Sequence, residues 1–334
     1  MLESDEWWKT NLIMSQIQIN EQLRAVLFQL REVNPGSYVH LLLDGNHPCA
    51  DDDELHITRL KKRDIPAEAV LVPRADFAHD PAICPALVTL YSPGDRGYPD
   101  DALLDLSIAH AWYRRDSING SYVCGWLVSE SSAHQVAKHL APACELFDLT
   151  RGCRRVLPLF EPHRLSLVVD AGRESFLRRW IGPISHWMWL DMKGELRSLA
   201  ASDLADGVPG KDHLSQRHWE AQQRVANARV VAVAMADAGH TLPVYPETTI
   251  DASLQRAAAL GLQRTEDLVF FALNDFSFSP AWTSHPAAAN AIRQALQGER
   301  TLSELMCRLT DDTLEEIAAT REAGPTLFGD SDGH

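Results

Sequence analysis

The sequence predicts a mixed α/β lobe followed by an all-helical lobe, and three observations support this fold class. Short apolar runs that are typical of strands alternate with helical patterns through about residue 200. Residues 201–212 are rich in Ala, Asp and Gly, include Pro209 and show no apolar period, which is typical of a linker. Beyond them, glycine and proline bracket helical patterns only. The length of 334 residues favours two lobes, although one large domain is also compatible with it.

These patterns divide the chain into five segments. They are a flexible extension over residues 1–19, an α/β lobe over 20–200, a linker over 201–212, a helical lobe over 213–324 and a disordered tail over 325–334. The first regular helical pattern starts with Asn20, a candidate cap, and carries Leu23 and Leu27. Met14 precedes it, so residues 1–13 are either an extension from an upstream start or a tail.

Apolar runs bounded by turn residues predict the strands of the first lobe. They lie at Tyr38–Leu43, Ala69–Val72, Ala86–Tyr91 and Ser121–Val128, with hairpins over Glu145–Phe160 and Ile184–Leu199. A helix is expected from Asp100 to Trp112, and another follows Ser129 or Ser131 as its cap and stops at Pro142. The second lobe is expected to hold six helices, over 213–238, 250–260 and 265–274 and from Pro286, Leu302 and Asp311 onward.

Charge and cysteine content restrict the function. The formal net charge of −15 repels phosphate backbones and anionic lipid, so we expect neither nucleic acid nor membrane as a partner. No apolar stretch approaches the roughly 20 residues that a membrane helix needs, and the N-terminus lacks the pattern of a signal peptide. The six cysteines form no C-x-x-C pair, which indicates reduced thiols. Together these features predict a cytoplasmic protein.

The motifs of enzymes and cofactor-binding proteins are incomplete in this chain. Ser129 follows a strand but lacks the flanking glycines of a nucleophile elbow, and a serine there more often caps a helix. The histidine pairs 134/139 and 213/218 have the wrong spacing for metal ligands on one helical face. No glycine-rich phosphate loop is present. We therefore predict no catalytic residue, no metal and no cofactor, with a hydrolase built around Ser129 as the alternative.

Carboxylates and aromatic residues leave two further possibilities. Asp170, Glu174 and Asp191 would be able to act as acid and base if the fold paired them, although surface positions are the simpler interpretation. Most of the tryptophans and phenylalanines are expected in the core, with Trp187 and Trp189 on one face of a strand. The exception is the segment from Asn274 to Pro280, interpreted as a polar loop. The aromatic residues in or near it are candidates for partner binding: Phe276, Phe278 and Trp282.

Four segments in the middle of the chain resemble a known family. They are Gly125-Trp126-Leu127-Val128-Ser129, Lys138-His139-Leu140, Leu159-Phe160-Glu161-Pro162-His163-Arg164-Leu165, and Ile181-Gly182-Pro183-Ile184 with Trp187. Their order and approximate spacing resemble the adaptors, or effector chaperones, of bacterial type VI secretion systems, also called Tap or Tec. The resemblance covers about residues 86–190. The family positions are Phe160, Glu161, Pro162, Gly182 and Pro183, and the chain has Phe-Glu-Pro-His where that family more often has Tyr-Asp-Pro-Arg.

The resemblance implies a non-catalytic function. A protein of that family would hold a secreted effector, a toxin that in some cases is linked to a PAAR domain, in the cytoplasm of the producing cell. It would then help to load the effector onto the spike protein VgrG. The implied partners are therefore two proteins, the effector and VgrG.

Overall fold

The computed structural model describes residues 3–60, 62, 67–95, 101–115, 117–172, 174–204, 213–278 and 280–320. Within them the chain forms two compact units. Unit 1 comprises residues 1–229 and 242–248, and unit 2 comprises residues 230–241 and 249–334. Strands lie in the N-terminal part, and among the described residues from Gln216 onward only helices follow, so the predicted mixed α/β class is confirmed.

The described residues contain eight strands and twelve α-helices. The strands are β1 Tyr38–Leu43, β2 Ala69–Leu71, β3 Ala86–Tyr91, β4 Val123–Ser129, β5 Glu145–Asp148, β6 Cys153–Val156, β7 Ile184–Leu190 and β8 Leu196–Ala200. The helices are α1 Glu3–Val33, α2 Ile57–Leu60, α3 Asp101–Arg114, α4 Ala133–Ala143, α5 Pro162–Asp170, α6 Glu174–Ile181, α7 Gln216–Asp237, α8 Pro246–Ala259, α9 Thr265–Ser277, α10 Pro286–Leu296, α11 Leu302–Met306 and α12 Asp311–Ala319.

Six strands form one antiparallel sheet in the order β2-β3-β1-β4-β7-β8. β5 and β6 pair separately, with Phe147 opposite Arg154. The four predicted strands and both predicted hairpins are therefore present, with bounds that differ by a few residues. Apolar runs with turn residues on each side were sufficient to locate them.

Helices cover both faces of the six-stranded sheet. Because side chains alternate along a strand, Leu41 and Leu43 pack on the face that α1 and α3 cover, whereas Leu42 packs on the face of α4, α5 and α6. Trp187 and Trp189 share the second face, as predicted. One helix serine on each face accepts a hydrogen bond from a sheet tryptophan. Trp126 Nε1 donates to Ser107 Oγ of α3 at 2.9 Å, and Trp189 Nε1 donates to Ser166 Oγ of α5 at 2.8 Å.

Two expectations about the chain's organisation differ from the structure, and a third concerns residues outside the described part of the chain. The flexible extension over residues 1–19 is not observed, because α1 begins at Glu3 and runs through the proposed cap Asn20. The units divide after Arg229, inside α7, and not at residues 201–212; of that expected linker, residues 205–212 lie outside the described residues. The tail predicted after Pro325 also lies outside them. The division falls late because residues of α7 up to Arg229 pair with α5 of unit 1.

In unit 2, the predicted aromatic loop proves to be mostly helix. α9 continues to Ser277, so Phe276 is a half-buried helical residue, and half-buried Phe278 directly follows the helix. Trp282 is fully buried, and its Nε1 donates to Asp275 Oδ1 at 2.7 Å. The same carboxylate accepts from Ser253 and Arg256. Trp282 is thus a core residue and not an exposed partner-binding residue, whereas partner binding by Phe276 and Phe278 stays a prediction.

Replacing Trp282 should destabilise unit 2 strongly. Trp282→Ala removes a fully buried side chain and one donor to Asp275, so we expect a loss of about 3–5 kcal/mol in the free energy of unfolding. Urea titration followed by circular dichroism measures it. Phe276→Ala is the control, since the half-buried ring should contribute much less. Equal losses for the two variants would contradict the assignment of Trp282 to the core.

Candidate functional site

The family-like segment at residues 159–165 forms the start of α5. Pro162 occupies the first helical turn, and Glu161 caps the helix by accepting a hydrogen bond from Arg164 N at 3.1 Å. Proline suits this position because its missing N–H would be unpaired there, and a carboxylate is favoured by the helix dipole. Phe160 is buried in the core beneath the sheet. These motif positions therefore build a helix start and leave little surface for a ligand.

Glu161 and His163 are both buried and share one arginine of α7. Arg229 Nη2 lies 2.7 Å from Glu161 Oε1, and Arg229 Nε donates to His163 Nδ1 at 3.1 Å. Burial would raise the pKa of Glu161, but the charges of Arg229 and Arg164 outweigh it and hold the pKa at about 2. Burial lowers the pKa of His163 to about 4. The cluster thus holds an anionic glutamate and a neutral histidine that accepts from Arg229.

A second set of hydrogen bonds joins α5 to the same part of α7. Arg164 Nη1 donates to Gln222 O at 2.8 Å, and Gln222 Nε2 donates back to Arg164 O at 3.1 Å. Leu167 of α5 packs against Ala221 and Val225. α5 is therefore fixed on α7 by paired charges, reciprocal amide contacts and a small apolar cluster.

Ser129 lies at the end of β4 and is fully buried. Its Oγ donates to Pro183 O at 2.7 Å and accepts from Ser131 N at 3.0 Å. A serine nucleophile needs a general base as the acceptor of its proton, and a backbone carbonyl is not one. These hydrogen bonds join two family-like segments and do not support the alternative of a hydrolase built around Ser129. The cap of α4 is neither Ser129 nor Ser131 but Ser132, in a capping box with Gln135.

Gly182 allows the His139 ring to contact the backbone at the C-terminal end of α6. Its φ of +56° is in the left-handed region, and an added Cβ would lie 2.2 Å from the His139 ring. His139 Nε2 is 2.8 Å from Trp180 O, a carbonyl of the last turn. Glycine is therefore required here twice, for the backbone conformation and for the close approach of the ring. The contact holds α6 against α4.

A groove with a cavity of about 440 Å³ lies beside this contact. It is bounded by the end of α4, the β5–β6 hairpin and α6. Its apolar lining consists of Pro142, Ala143, Leu146, Phe147, Phe176 and Trp180, and its polar lining of His139, Glu145, Arg154 and Arg179. We call this the hairpin groove. Phe147 is 45% exposed, and the hairpin tip next to it carries Leu149, which is 56% exposed.

The rim of the hairpin groove is positively charged although the chain as a whole is acidic. Two arginines line the groove, Arg154 of the hairpin and Arg179 of α6, against one acidic residue, Glu145. Arg155 pairs with Asp148 at 2.9 Å, and Arg154 Nη1 donates to Glu145 O at 3.5 Å. An aromatic floor with a basic rim suits a partner segment that combines apolar and acidic side chains.

Two of the three carboxylates considered for acid–base chemistry are brought together. Arg197 Nη2 lies 2.5 Å from Asp170 Oδ1, and Arg197 Nη1 lies 3.7 Å from Asp191 Oδ2. The side chain of Glu174 lies outside the described residues. Glu247 joins the cluster and accepts from Met192 N at 3.0 Å. Burial, followed by neighbouring Asp191, raises the pKa of Glu247 to about 8, and burial raises that of Asp191 to about 6.

This carboxylate cluster is closed to solvent. Asp191 is fully buried and Glu247 is 2% exposed. Their raised pKa values therefore follow first from burial, which disfavours the charged carboxylates, and do not by themselves indicate a catalytic site.

The sequence indicated the motif positions but not what surrounds them. Each of these positions has a partner distant in the sequence. The fold places Gly182 next to His139 and Pro183 next to Ser129, and it places Glu161 next to Arg229. The hairpin groove was missed. The paired arginines 154–155 and 178–179 were the available signal, and their proximity depends on how the hairpin lies against α6.

Comparison of the chain with protein-family models, with curated proteins and with solved structures finds no match. Across the described residues, no helix combines the length and the apolar character that crossing a membrane requires. Function must therefore be argued from the residues themselves.

Acid should weaken unit 1 partly through His163. An unfolded histidine binds a proton near its ordinary pKa of 6.5, whereas buried His163 does so only near 4, so stability falls as pH drops from 6.5 to 4. His163→Asn keeps an acceptor for Arg229 but cannot take up a proton. Urea unfolding at several pH values should show a shallower loss for this variant across that window. An unchanged pH dependence would contradict the argument.

Rising pH should lower the stability of unit 1 through Glu247, whereas falling pH lowers it through His163. Its folded pKa of about 8 exceeds the ordinary 4.5, so the folded state loses stability as pH rises from 4.5 to 8. Glu247→Gln keeps the acceptor for Met192 N without the charge. We expect it to unfold like the original near pH 4 and to be more stable at pH 8, by on the order of a few kcal/mol. Lower stability of the variant at pH 8 would contradict a protonated Glu247.

Proposed function

We propose that this chain is a non-catalytic adaptor that binds a type VI secretion effector in the cytoplasm of the producing cell and helps to load it onto the VgrG spike. The observation that carries the proposal is the hairpin groove. It offers half-exposed Phe147 beside an aromatic floor and a basic rim, and it lies against the segments that resemble the adaptor family.

The chemistry of the groove favours a protein as its occupant. Phe147 and Leu149 of the hairpin supply exposed apolar area, which contributes strongly to binding energy at protein interfaces, and nearly buried Trp180 and Phe176 form the floor beneath. Arg154 and Arg179 on the rim would pair with acidic side chains of the occupant. Of the family-like residues, Phe160, Glu161 and Ser129 are buried and support this surface from below, whereas His139 lines the groove itself.

The wider surface is consistent with that function. A net charge of −15 disfavours nucleic acid, so the basic rim is a local feature and not part of a phosphate-binding face. All six cysteines are free, which suits the reducing cytoplasm. In this proposal, VgrG binds at a different surface, because the effector must stay bound while it is mounted.

Co-expression with candidate effectors tests the proposal. Each toxin-like or PAAR-containing product encoded next to this gene is expressed together with the tagged chain, and complexes are measured by size-exclusion chromatography. We expect one such product to co-elute, and its secretion to need this gene. If none co-elutes and secretion survives deletion of the gene, the chain is not an effector adaptor.

A pair of matched variants tests the groove itself. Phe147→Glu places a negative charge on the aromatic floor and should weaken the complex at least about tenfold, equivalent to about 1.4 kcal/mol. Phe28→Glu on α1 is the control, because Phe28 is similarly exposed, at 50% compared with 45%, and lies outside the groove. Equal effects of the two variants would place the effector elsewhere.

A further inference from the structure

A thiol, a carboxylate and an imidazole meet in unit 1 away from the hairpin groove. Cys49 and Asp53 belong to the loop between β1 and α2, and His110 belongs to α3. One ligand atom from each of the three residues lies within 4.8 Å of the other two. All three side chains are partly buried, so the cluster lies at the edge of the core.

The surrounding contacts hold these side chains in place. Asp53 Oδ1 accepts from Leu55 N at 2.9 Å, which fixes the carboxylate on its own loop. Tyr122 OH donates to Leu55 O at 3.0 Å and ties that loop to the sheet. The Tyr122 ring lies 5.4 Å from the His110 ring. Outer contacts of this kind commonly orient metal ligands.

The imidazole of His110 provides a second observation that favours a ligand. His110 Nδ1 is buried and has no hydrogen-bond partner among the described residues. A buried ring nitrogen without a partner is unfavourable, and a metal ion bound through that nitrogen would satisfy it. A tetrahedral ion would hold its ligand atoms roughly 3.5 Å apart, so closure by about 1 Å brings the three side chains into range.

The alternative of a cysteine nucleophile is disfavoured. Burial and the nearby charge of Asp53 raise the pKa of Cys49 to about 12, so the free thiol is protonated at neutral pH. Activated cysteines need the opposite shift. A divalent cation, by contrast, would balance one thiolate and one carboxylate.

The geometry points to a site for a divalent transition-metal ion, with zinc preferred, formed by Cys49 Sγ, a carboxylate oxygen of Asp53 and a ring nitrogen of His110. Thiolate, imidazole and carboxylate together form a ligand set that zinc prefers. Three protein ligands leave a fourth position for water or for a group of a partner. The acidic residues Asp51, Asp52 and Glu54 on the same loop attract cations to it.

Cobalt titration of the full chain, treated with chelator and kept reduced, tests the site. Bound Co²⁺ should give a near-ultraviolet thiolate-to-cobalt band and intense visible bands of a tetrahedral ion. Added Zn²⁺ should abolish both by displacement. Cys49→Ser should remove the thiolate band, and His110→Ala should weaken binding by at least about tenfold, since the loss of even an outer contact costs that much.

Matched controls separate this site from non-specific binding. Cys153→Ser and His79→Ala replace an exposed cysteine and an exposed histidine outside the cluster, and both should bind Co²⁺ like the original chain. Circular dichroism confirms that each variant is folded. A second readout is the rise in melting temperature with Zn²⁺, which Asp53→Asn should reduce. Absence of a thiolate band, or an equal loss in Cys49→Ser and Cys153→Ser, would overturn the proposal.

Discussion

The buried ion pair between Glu161 and Arg229 is the interaction on which the helix arrangement of unit 1 depends. Burial of two charges costs several kcal/mol each, and their attraction offsets this cost only where further hydrogen bonds satisfy both groups. Arg164 N donates to Glu161, and His163 accepts from Arg229, so those bonds are present. A change in the angle between α5 and α7 would break them together. The ion pair therefore fixes where α5 begins and how it lies on α7.

The position of α5 has consequences for the sheet and, through it, for the hairpin groove. Ser166 of α5 accepts from Trp189, which keeps β7 in place on that face. Gly125 of β4 approaches β7 so closely that an added Cβ would lie 2.3 Å from Met188 O. At the start of β7, Pro183 O accepts from Ser129, and Gly182 sits beneath His139. The wall of the groove formed by α6 therefore rests on a continuous series of buried contacts that starts at the ion pair.

Local pattern predicted most of the elements of this fold, and pairing across the chain explains the failures. Apolar runs located the strands because a strand buried on both faces has few polar residues to interrupt it. Nothing local shows that Arg229 pairs with Glu161, so the sequence placed the division between the units too early. The sequence predicted a partner-binding role for Trp282 because Asp275 was interpreted as a loop residue. In the fold, the Asp275 carboxylate accepts hydrogen bonds from three side chains, one of which is Trp282. Local sequence pattern likewise predicted neither the hairpin groove nor the Cys49 cluster, since each of them joins segments that are separated in the sequence.

Several of the family-like residues belong to the buried core and not to a surface that a partner would contact. Phe160, Glu161 and Ser129 are almost fully buried, so substitution there would disturb the fold before it disturbed a surface. A resemblance carried by such residues is evidence about architecture, whereas a partner would meet side chains such as Phe147 and Leu149. If the chain is an adaptor, its choice of effector depends on the hairpin and on α6, because these elements can change without breaking the buried ion pair. Two adaptors with the same motifs would then bind different effectors through differently lined grooves.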